Sequence, residues 1–476
     1  MAQTKEAPMP EVDVAVIGGG IAGLVAAMRL KGRRCAVLEA ADRPGGRIHS
    51  TSGARGPINL GAHMVPAAES LIGSMVADLG LAARPVPQHL FGLRYGGQLH
   101  LGTSDALLPF LLPLSLRERA ALIRMGLSLR TGARRSLSAT RHRVGETASD
   151  RVARALAFED DRTLADYIGP LPPRLDGLLA ALTERNGADP AVMTAGHGLR
   201  SFANVWARSA PGTNLIGGTS KLPLALADQL GAALCTMHRV SRIEAIPGRQ
   251  GPVARITYSD GRSGRSGTLT ARVCIIATPA PVAADLVADW PADTLSALRQ
   301  IRYGPFLSLG LTLSEGEQLA WNSTYAIATP GLSFSVLFNH DAMRAIDDPA
   351  VRGHSIMLFR GASGAEREMQ EADATIVERW LTDLERAFPG LRRRVTDARL
   401  MRWALGAPFA APGRAAMQAA LERTPPPFIL AGDYMEAPNM EAAAQSGARA
   451  ATLAEEWLDA LAIGADGRTA LINQRL

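Results

Sequence analysis

Lysine is nearly missing from this 476-residue chain. Only Lys5, Lys31 and Lys221 occur, and arginine supplies the remaining basic side chains. Any chemistry that needs a lysine in the C-terminal half is therefore excluded. Cysteine is as scarce, with Cys35, Cys235 and Cys274 each inside an apolar, strand-like run. Such placement excludes a disulfide framework and a cysteine metal site, and it reads as reduced core thiols in a cytoplasmic protein. No stretch reaches about 18 uninterrupted apolar residues, which argues against a transmembrane helix. Met1 to Glu11 shows no hydrophobic signal region, in keeping with a cytoplasmic location. The net charge of +6 is spread without a long basic run. That speaks against a dedicated nucleic-acid binder and allows contact with an anionic membrane surface. What is present is 47% hydrophobic and 20% charged residues, the balance of a globular protein. The length suffices for two or three domains with a large core.

The chain is organised around residues 12–47. Val12 to Ile17 is a short apolar, β-branched run suited to a buried parallel strand. Gly18, Gly20 and Gly23 follow with G-x-G-x-x-G spacing. The first glycine allows a tight turn, the second lets the backbone approach a pyrophosphate, and the third lets a helix pack on the strand. Ile21 and Ala22 open that helix, whose N-terminus would point free N–H groups and a positive dipole at phosphate. Cys35 to Glu39 is a second strand ending in an acid, with Ala40 after it. The acid stands about 20 residues beyond the first glycine, as recognition of ribose hydroxyls requires.

The glycines alone do not choose between NAD and FAD. Arg43-Pro-Gly45-Gly46-Arg47 does, because it resembles the segment after the second strand in the flavin-containing amine oxidase superfamily. There it wraps the nucleotide's phosphates and ribose, so the resemblance implies FAD. It also implies an α/β architecture, with a Rossmann-like FAD-binding domain and a discontinuous α+β substrate domain of antiparallel sheet plus helices. On that reading residues 1–85, 212–285 and 395–476 form the FAD-binding domain. Residues 86–211 and 286–394 form the substrate-binding domain, with a helical lid.

Further matches follow in order. Ile58 to Val65 reads as a strand ending at a Gly61-Ala62-His63 turn. The resemblance places this segment beside the flavin, so His63 either faces substrate or is a structural histidine. Residues 68–80 suggest a helix capped by Gly80, and Tyr95-Gly-Gly-Gln98 a hairpin. The apolar run from Ala106 to Leu114 precedes Arg117, Arg119, Arg124, Arg130, Arg134 and Arg135 on an amphipathic helix. Region 105–137 thus suits a membrane interface or a helical lid over a substrate pocket. The lid is favoured, since amphipathic helices mostly face a protein core. Helices are expected over 140–200, broken at Gly169-Pro170 and Pro172-Pro173. Residues 222–230 read as helix, and 236–243, 252–258 and 273–278 as strands. In the superfamily the Val240 position meets adenine, and the turn at Thr278 returns the chain to the second domain. No second G-x-G-x-x-G follows a strand, so no separate NAD(P)H domain is expected.

Strands are expected over 305–313, 332–338 and 354–360, then one long helix over about 364–388. Arg402-Trp403 to Pro412-Gly413 resembles the strand and turn that lead back to the flavin in protoporphyrinogen oxidases and desaturases. Ala431-Gly432-Asp433-Tyr434 ends a strand, and a helix opens near Met440-Glu441, with Ala444, Ser446 and Gly447 behind. This form is most like plant-type phytoene desaturases and hydroxysqualene dehydroxylases. The resemblance implies that Asp433 holds the ribityl–phosphate region and that the Met440 helix faces the flavin pyrimidine edge.

The departures bear on chemistry. Many amine oxidases of the superfamily place a lysine near flavin N5, and this chain has none after Lys221. It has no cysteine after Cys274 for a C-terminal cysteinyl–flavin bond, so FAD should be non-covalent. Asn439 stands where an aromatic would frame the flavin, and residues 403–413 contain no tyrosine. The expected reaction is therefore hydride transfer from a substrate C–H to flavin, with O2 or a quinone as acceptor. The substrate is an apolar or amine-bearing small molecule such as a secondary metabolite. His63, Tyr303, Trp403 and Asn439 are the candidate pocket residues. Two alternatives stand beside it: an amine or amino-acid oxidase releasing H2O2 with a non-standard pocket, and a non-redox flavoprotein isomerase or dehydroxylase.

Overall fold

A computed structural model describes residues 11–53, 56–86, 89–101, 108–203, 212–316, 319–340 and 354–463. The polypeptide divides into two compact units. The first comprises Met1–Gly46, Leu222–Ile301 and Met417–Leu476, and the second Arg47–Lys221 and Arg302–Ala416.

The first unit is built on a seven-stranded sheet. Strand Val12–Ile17 pairs in parallel with Cys35–Leu38 on one side and with Ser266–Ile276 on the other. Val14, Ala15 and Val16 are wholly buried, as expected for a parallel strand covered on both faces. The first half of Ser266–Ile276 pairs antiparallel with Gly251–Asp260, and its second half pairs in parallel with Phe428–Leu430. Ile17 is level with Ile276, and Ile276 with Leu430. Gly18 and Gly432 therefore leave the two strands that flank Ser266–Ile276 at the same, carboxyl edge of the sheet, where α/β proteins bind nucleotides. Helix Ile21–Arg29 packs against the closing helix Met440–Ile463. The approach is so close that a Cβ on Gly447 would overlap the Ala22 carbonyl. The two ends of the chain thus share one layer.

The second unit holds another seven-stranded sheet, in the order Val395–Phe409, Arg302–Leu313, His354–Gly361, Val336–Asn339, Thr324–Ala328, His89–Tyr95 and Gln98–His100. All its pairs are antiparallel except Thr324–Ala328 with His89–Tyr95, which is parallel. Leu307, Leu309, Leu311 and Leu313 alternate onto one face and are fully buried against Ile376, Trp380 and Leu384 of helix Asp373–Ala387. A second core joins helix Leu116–Thr140 to Pro173–Thr183 and Ala195–Ser201 through Leu122, Met125, Leu129, Leu175, Leu178 and Leu199. The opposite side of the Leu116–Thr140 helix leaves Leu116, Ile123, Leu127 and Leu137 exposed, next to exposed Phe110 and Leu111. Residues 105–107 of the suspected interfacial segment lie outside the described residues. Among the described residues, no helix is long and apolar enough to cross a membrane.

Several expectations are corrected. The 332–338 strand begins only at Val336. Gly331 (φ +85°) turns the chain, and Thr329 closes that turn by donating to Ser335 and Phe334 carbonyls. Strand Thr324–Ala328 was not anticipated. The long helix is two, Ala362–Glu368 and Asp373–Ala387, and the Trp380 indole of the second donates to Glu368 of the first at 2.9 Å. The unit boundaries also differ from those read in the sequence. Residues 47–85, 212–221 and 395–416 group with the second unit, where the 395–409 strand pairs along Arg302–Leu313 and Ile58 packs beneath Gly310. Residues 286–301 group with the first, where Trp290 meets Phe428 edge-on at 5.5 Å.

Candidate flavin and substrate sites

In the first unit the nucleotide motif is made of backbone. Gly18 has φ +107°, and a Cβ there would press on the Ala277 carbonyl at 2.8 Å. A Cβ on Gly23 would overlap the Gly18 carbonyl, so helix and strand need glycine to meet. Gly20 is different. Its φ is an ordinary −71°, and a Cβ would meet nothing within 4 Å. No side chain caps the helix that begins at Ile21, which leaves its first-turn N–H groups, including those of Ala22 and Gly23, without an intrahelical or capping acceptor.

Glu39 follows the second strand as expected. Its carboxylate accepts from Gly19 N at 2.6 Å and Ala41 N at 2.7 Å, which locks it beside the glycine turn with Ala40 between. Each oxygen retains lone-pair capacity for a ribose hydroxyl. Gly45 N donates to Gly19 O at 2.8 Å, and Gly46 (φ +55°) packs on Gly20. Arg43 holds this loop by donating to Gly46 O at 2.9 Å, and burial lowers its pKa. The Thr278 hydroxyl, next to Gly18, is buried without a hydrogen-bond partner among the described residues. Val240 sits at the irregularity in strand His238–Gly248.

At the closing motif, Gly432 has φ +151° and its N–H donates to Ser446 Oγ at 3.1 Å. Asp433 is buried in the short turn that follows. Met440 opens the 24-residue closing helix, Ala444 is buried within it, and Glu441 accepts from Gln445 at 2.8 Å. Asn439 accepts from Ala442 N at 2.8 Å, so it caps this helix. A bare Gly20, an uncapped helix, a fixed acidic acceptor and an orphaned hydroxyl at one sheet edge suit a dinucleotide with a pyrophosphate and a ribose.

The second unit's candidate residues fall into three groups. Arg47 donates to Gly406 O at 3.1 Å and lies 6.0 Å from the Tyr303 ring. Trp403 donates to Leu60 O at 2.8 Å, just before Gly61 and Ala62, with its ring edge-on to His49 at 6.4 Å. His63 meets Phe338 at 4.7 Å, His340 at 4.8 Å and Tyr325 at 5.9 Å. These last three partners were missed in the sequence. One signal existed: Phe338 and His340 are two apart, the spacing that puts strand residues on one face.

The electrostatics of this cluster follow from burial. The Gly61 carbonyl can only accept, so His63 Nδ1, 3.0 Å away, carries the proton and Nε2 keeps a lone pair. Burial pushes the His63 pKa down to about 4, so the ring is neutral at pH 7. His340 is lowered too, first by burial and then by the His63 charge, and neither of its ring nitrogens has a partner among the described residues. Burial raises the Tyr325 phenol, which is therefore protonated.

Fold and motif geometry together define a Rossmann-like FAD-binding protein with a second, sheet-and-helix unit. Comparison with known proteins narrows the class. The family described as flavin containing amine oxidoreductase matches residues 21–454, and the chain belongs to that family. Coproporphyrinogen III oxidases of Mycobacterium bovis and Mycobacterium tuberculosis are 26% identical over 457 residues, covering 94% of this chain and 98% of theirs. Among solved structures, cyclohexylamine oxidase from Brevibacterium oxydans IH-35A aligns with a TM-score of 0.74 at 20% identity, covering 94% of this chain and all of its own. Putrescine oxidase bound to putrescine aligns at 0.72 and 16% identity, covering 93% and 98%. The protein is thus an FAD-dependent oxidoreductase with a small-molecule substrate and oxygen or a similar electron acceptor.

Proposed function

We propose that the first unit holds FAD non-covalently and that the second supplies the pocket of an oxidase or desaturase for an apolar or secondary-metabolite substrate. The observation that carries this reading is the His63–Tyr325–Phe338–His340 cluster, whose rings meet His63 at 4.7 to 5.9 Å and whose titratable members are held neutral by burial. FAD, when bound in the first unit, would supply a hydride acceptor for the substrate C–H. The chain's own groups do the rest. Gly20, Ile21, Ala22 and Gly23 offer N–H groups to pyrophosphate, Glu39 takes the ribose hydroxyls, and Gly432, Asp433 and the Met440 helix hold the other half of the cofactor. Tyr303 and Trp403 orient the substrate, and the aromatic cluster excludes water from the reacting C–H.

The test is anaerobic mixing of the FAD-loaded protein with a panel of reduced substrates. The panel includes coproporphyrinogen III, the compound named for the mycobacterial relatives, together with apolar polyenes and primary, secondary and cyclic amines. Bleaching of the flavin bands by an apolar member is expected. Bleaching by amines alone, with peroxide released in air, favours the amine oxidase reading instead. A product of unchanged mass would favour an isomerase, and one lighter by the lost hydroxyl oxygen a dehydroxylase.

We also infer that the exposed side of helix Leu116–Thr140 docks peripherally on an anionic membrane. Leu116 is 86% and Leu127 60% exposed, and six arginines stand against one glutamate on that helix. Flotation with phosphatidylglycerol vesicles should carry the wild type upward and leave a Leu116→Asp/Leu127→Asp variant behind. Equal flotation would end this inference.

A further inference from the structure

Within the second unit lies a cleft of about 470 Å³ that none of the residues assigned above lines. Its walls are the hairpin turn at Gly96-Gly97, the start of helix Pro173–Thr183, the Pro330–Leu332 turn and the end of helix Asp373–Ala387. Three arginines, Arg94, Arg174 and Arg386, line it from three sides.

The walls are fixed by contacts that do not need a ligand. Arg360 donates to Leu332 O at 3.1 Å. Asp383 accepts from Ser333 N at 2.7 Å and pairs with Arg386 at 3.0 Å, which joins the turn to the helix end. Arg94 donates to the Arg386 carbonyl at 3.4 Å. A site so braced is preorganised.

Its charge is incompletely balanced. Arg386 has Asp383, but neither Arg94 nor Arg174 has a carboxylate within ion-pair distance among the described residues. Glu118 acts electrostatically on Arg174 and Tyr95 from further away, and its carboxylate is already held by Ser115. Arg94 Nε and the Tyr95 hydroxyl are buried without hydrogen-bond partners, and Tyr95 is only 7% exposed. Buried donors left this way call for an acceptor. Helix Pro173–Thr183 adds its positive end, begun by Pro172 with no side-chain cap. The remaining wall is apolar or bare: Leu332, Ala387 and glycines at 97, 177 and 331 whose added Cβ would meet nothing within 4 Å.

We propose that this cleft binds a small organic polyanion, with two or three carboxylates on a compact apolar body. Forked guanidiniums take planar carboxylates in pairs of hydrogen bonds, and the glycine and leucine walls take the body. The site does not depend on the flavin reading and can be tested separately from it.

The test is calorimetric titration of the full-length, FAD-loaded protein with benzene-1,3,5-tricarboxylate, benzoate and inorganic pyrophosphate. The tricarboxylate should bind at least about 10-fold more tightly than benzoate, and Arg174→Gln should weaken it by about 10-fold or more. Gly177→Leu should abolish binding by filling the cleft, with an unchanged melting temperature, because the new side chain meets open space. Absence of binding at millimolar tricarboxylate would overturn the proposal. So would binding unaltered in Gly177→Leu or Arg174→Gln, the mark of an ion held adventitiously on the surface. Tighter binding of pyrophosphate than of the tricarboxylate would overturn the assigned ligand class.

Discussion

The two units offer their candidate sites by different means. In the first, the proposed flavin site is built of main chain: glycines at 18, 20, 23, 45 and 46, two helix N-termini, and one carboxylate clamped by two backbone N–H groups. In the second, side chains dominate: imidazoles, phenols and indoles meeting across strands, and arginines around a cleft. A backbone-built site tolerates few residue types, because geometry decides what fits. A side-chain-built site can be rewritten one residue at a time, which agrees with a common fold among oxidases of differently named substrates.

The largest effect should come from Gly23→Val in the first unit. Its Cβ cannot coexist with the Gly18 carbonyl, so the protein should be insoluble or flavin-free, as read from the soluble fraction and the ratio of flavin to protein absorbance. In the second unit, Trp380→Ala should cost about 3–5 kcal/mol, measured by urea unfolding. Trp380 is wholly buried, and its removal also leaves Glu368 without the indole donor.

Acid should act next. A histidine whose folded pKa lies below its unfolded value binds fewer protons when folded, so stability falls as pH drops through the window between the two values. For His63 that window runs from the ordinary 6.5 down to about 4, and His197 behaves alike. Melting temperature should therefore decline across that range, and His63→Gln should flatten the decline. The smallest effect is expected at Arg33, whose half-exposed pairing with Glu455 joins the ends of the chain on the surface. Arg33→Gln should cost about 0.5 kcal/mol in urea unfolding, and less at high salt.

The same contrast governs what could be read in advance. The glycine turn, the acid after the second strand and the Gly432-Asp433 turn were legible because each answers a local backbone demand in sequence order. The choice of a flavoprotein over an NAD protein came instead from the resemblance carried by Arg43-Pro-Gly45-Gly46-Arg47 and the closing motif. Asn439 was legible as a residue before a helix, yet its role as the cap on Ala442 depends on where that helix begins. Tyr325 and His340 were not legible as partners of His63, since strand register brings them together across a long separation in the chain. The break at 369–372 was hidden because the helical pattern continues across it, and only the Glu368–Trp380 bond reveals the fold-back. The compact units part from the domain limits read in the sequence where a strand such as Val395–Phe409 runs beside Arg302–Leu313 along nearly its whole length.

The central claim is that the open space beside Gly20 is kept for the cofactor's pyrophosphate. FAD titration of unloaded wild type and unloaded Gly20→Leu, followed by flavin fluorescence quenching, tests it most directly. The protein has room for the leucine, so the variant should keep the wild-type circular dichroism and melting temperature while binding FAD at least about 100-fold more weakly. Equal FAD affinity in the two proteins would contradict the account.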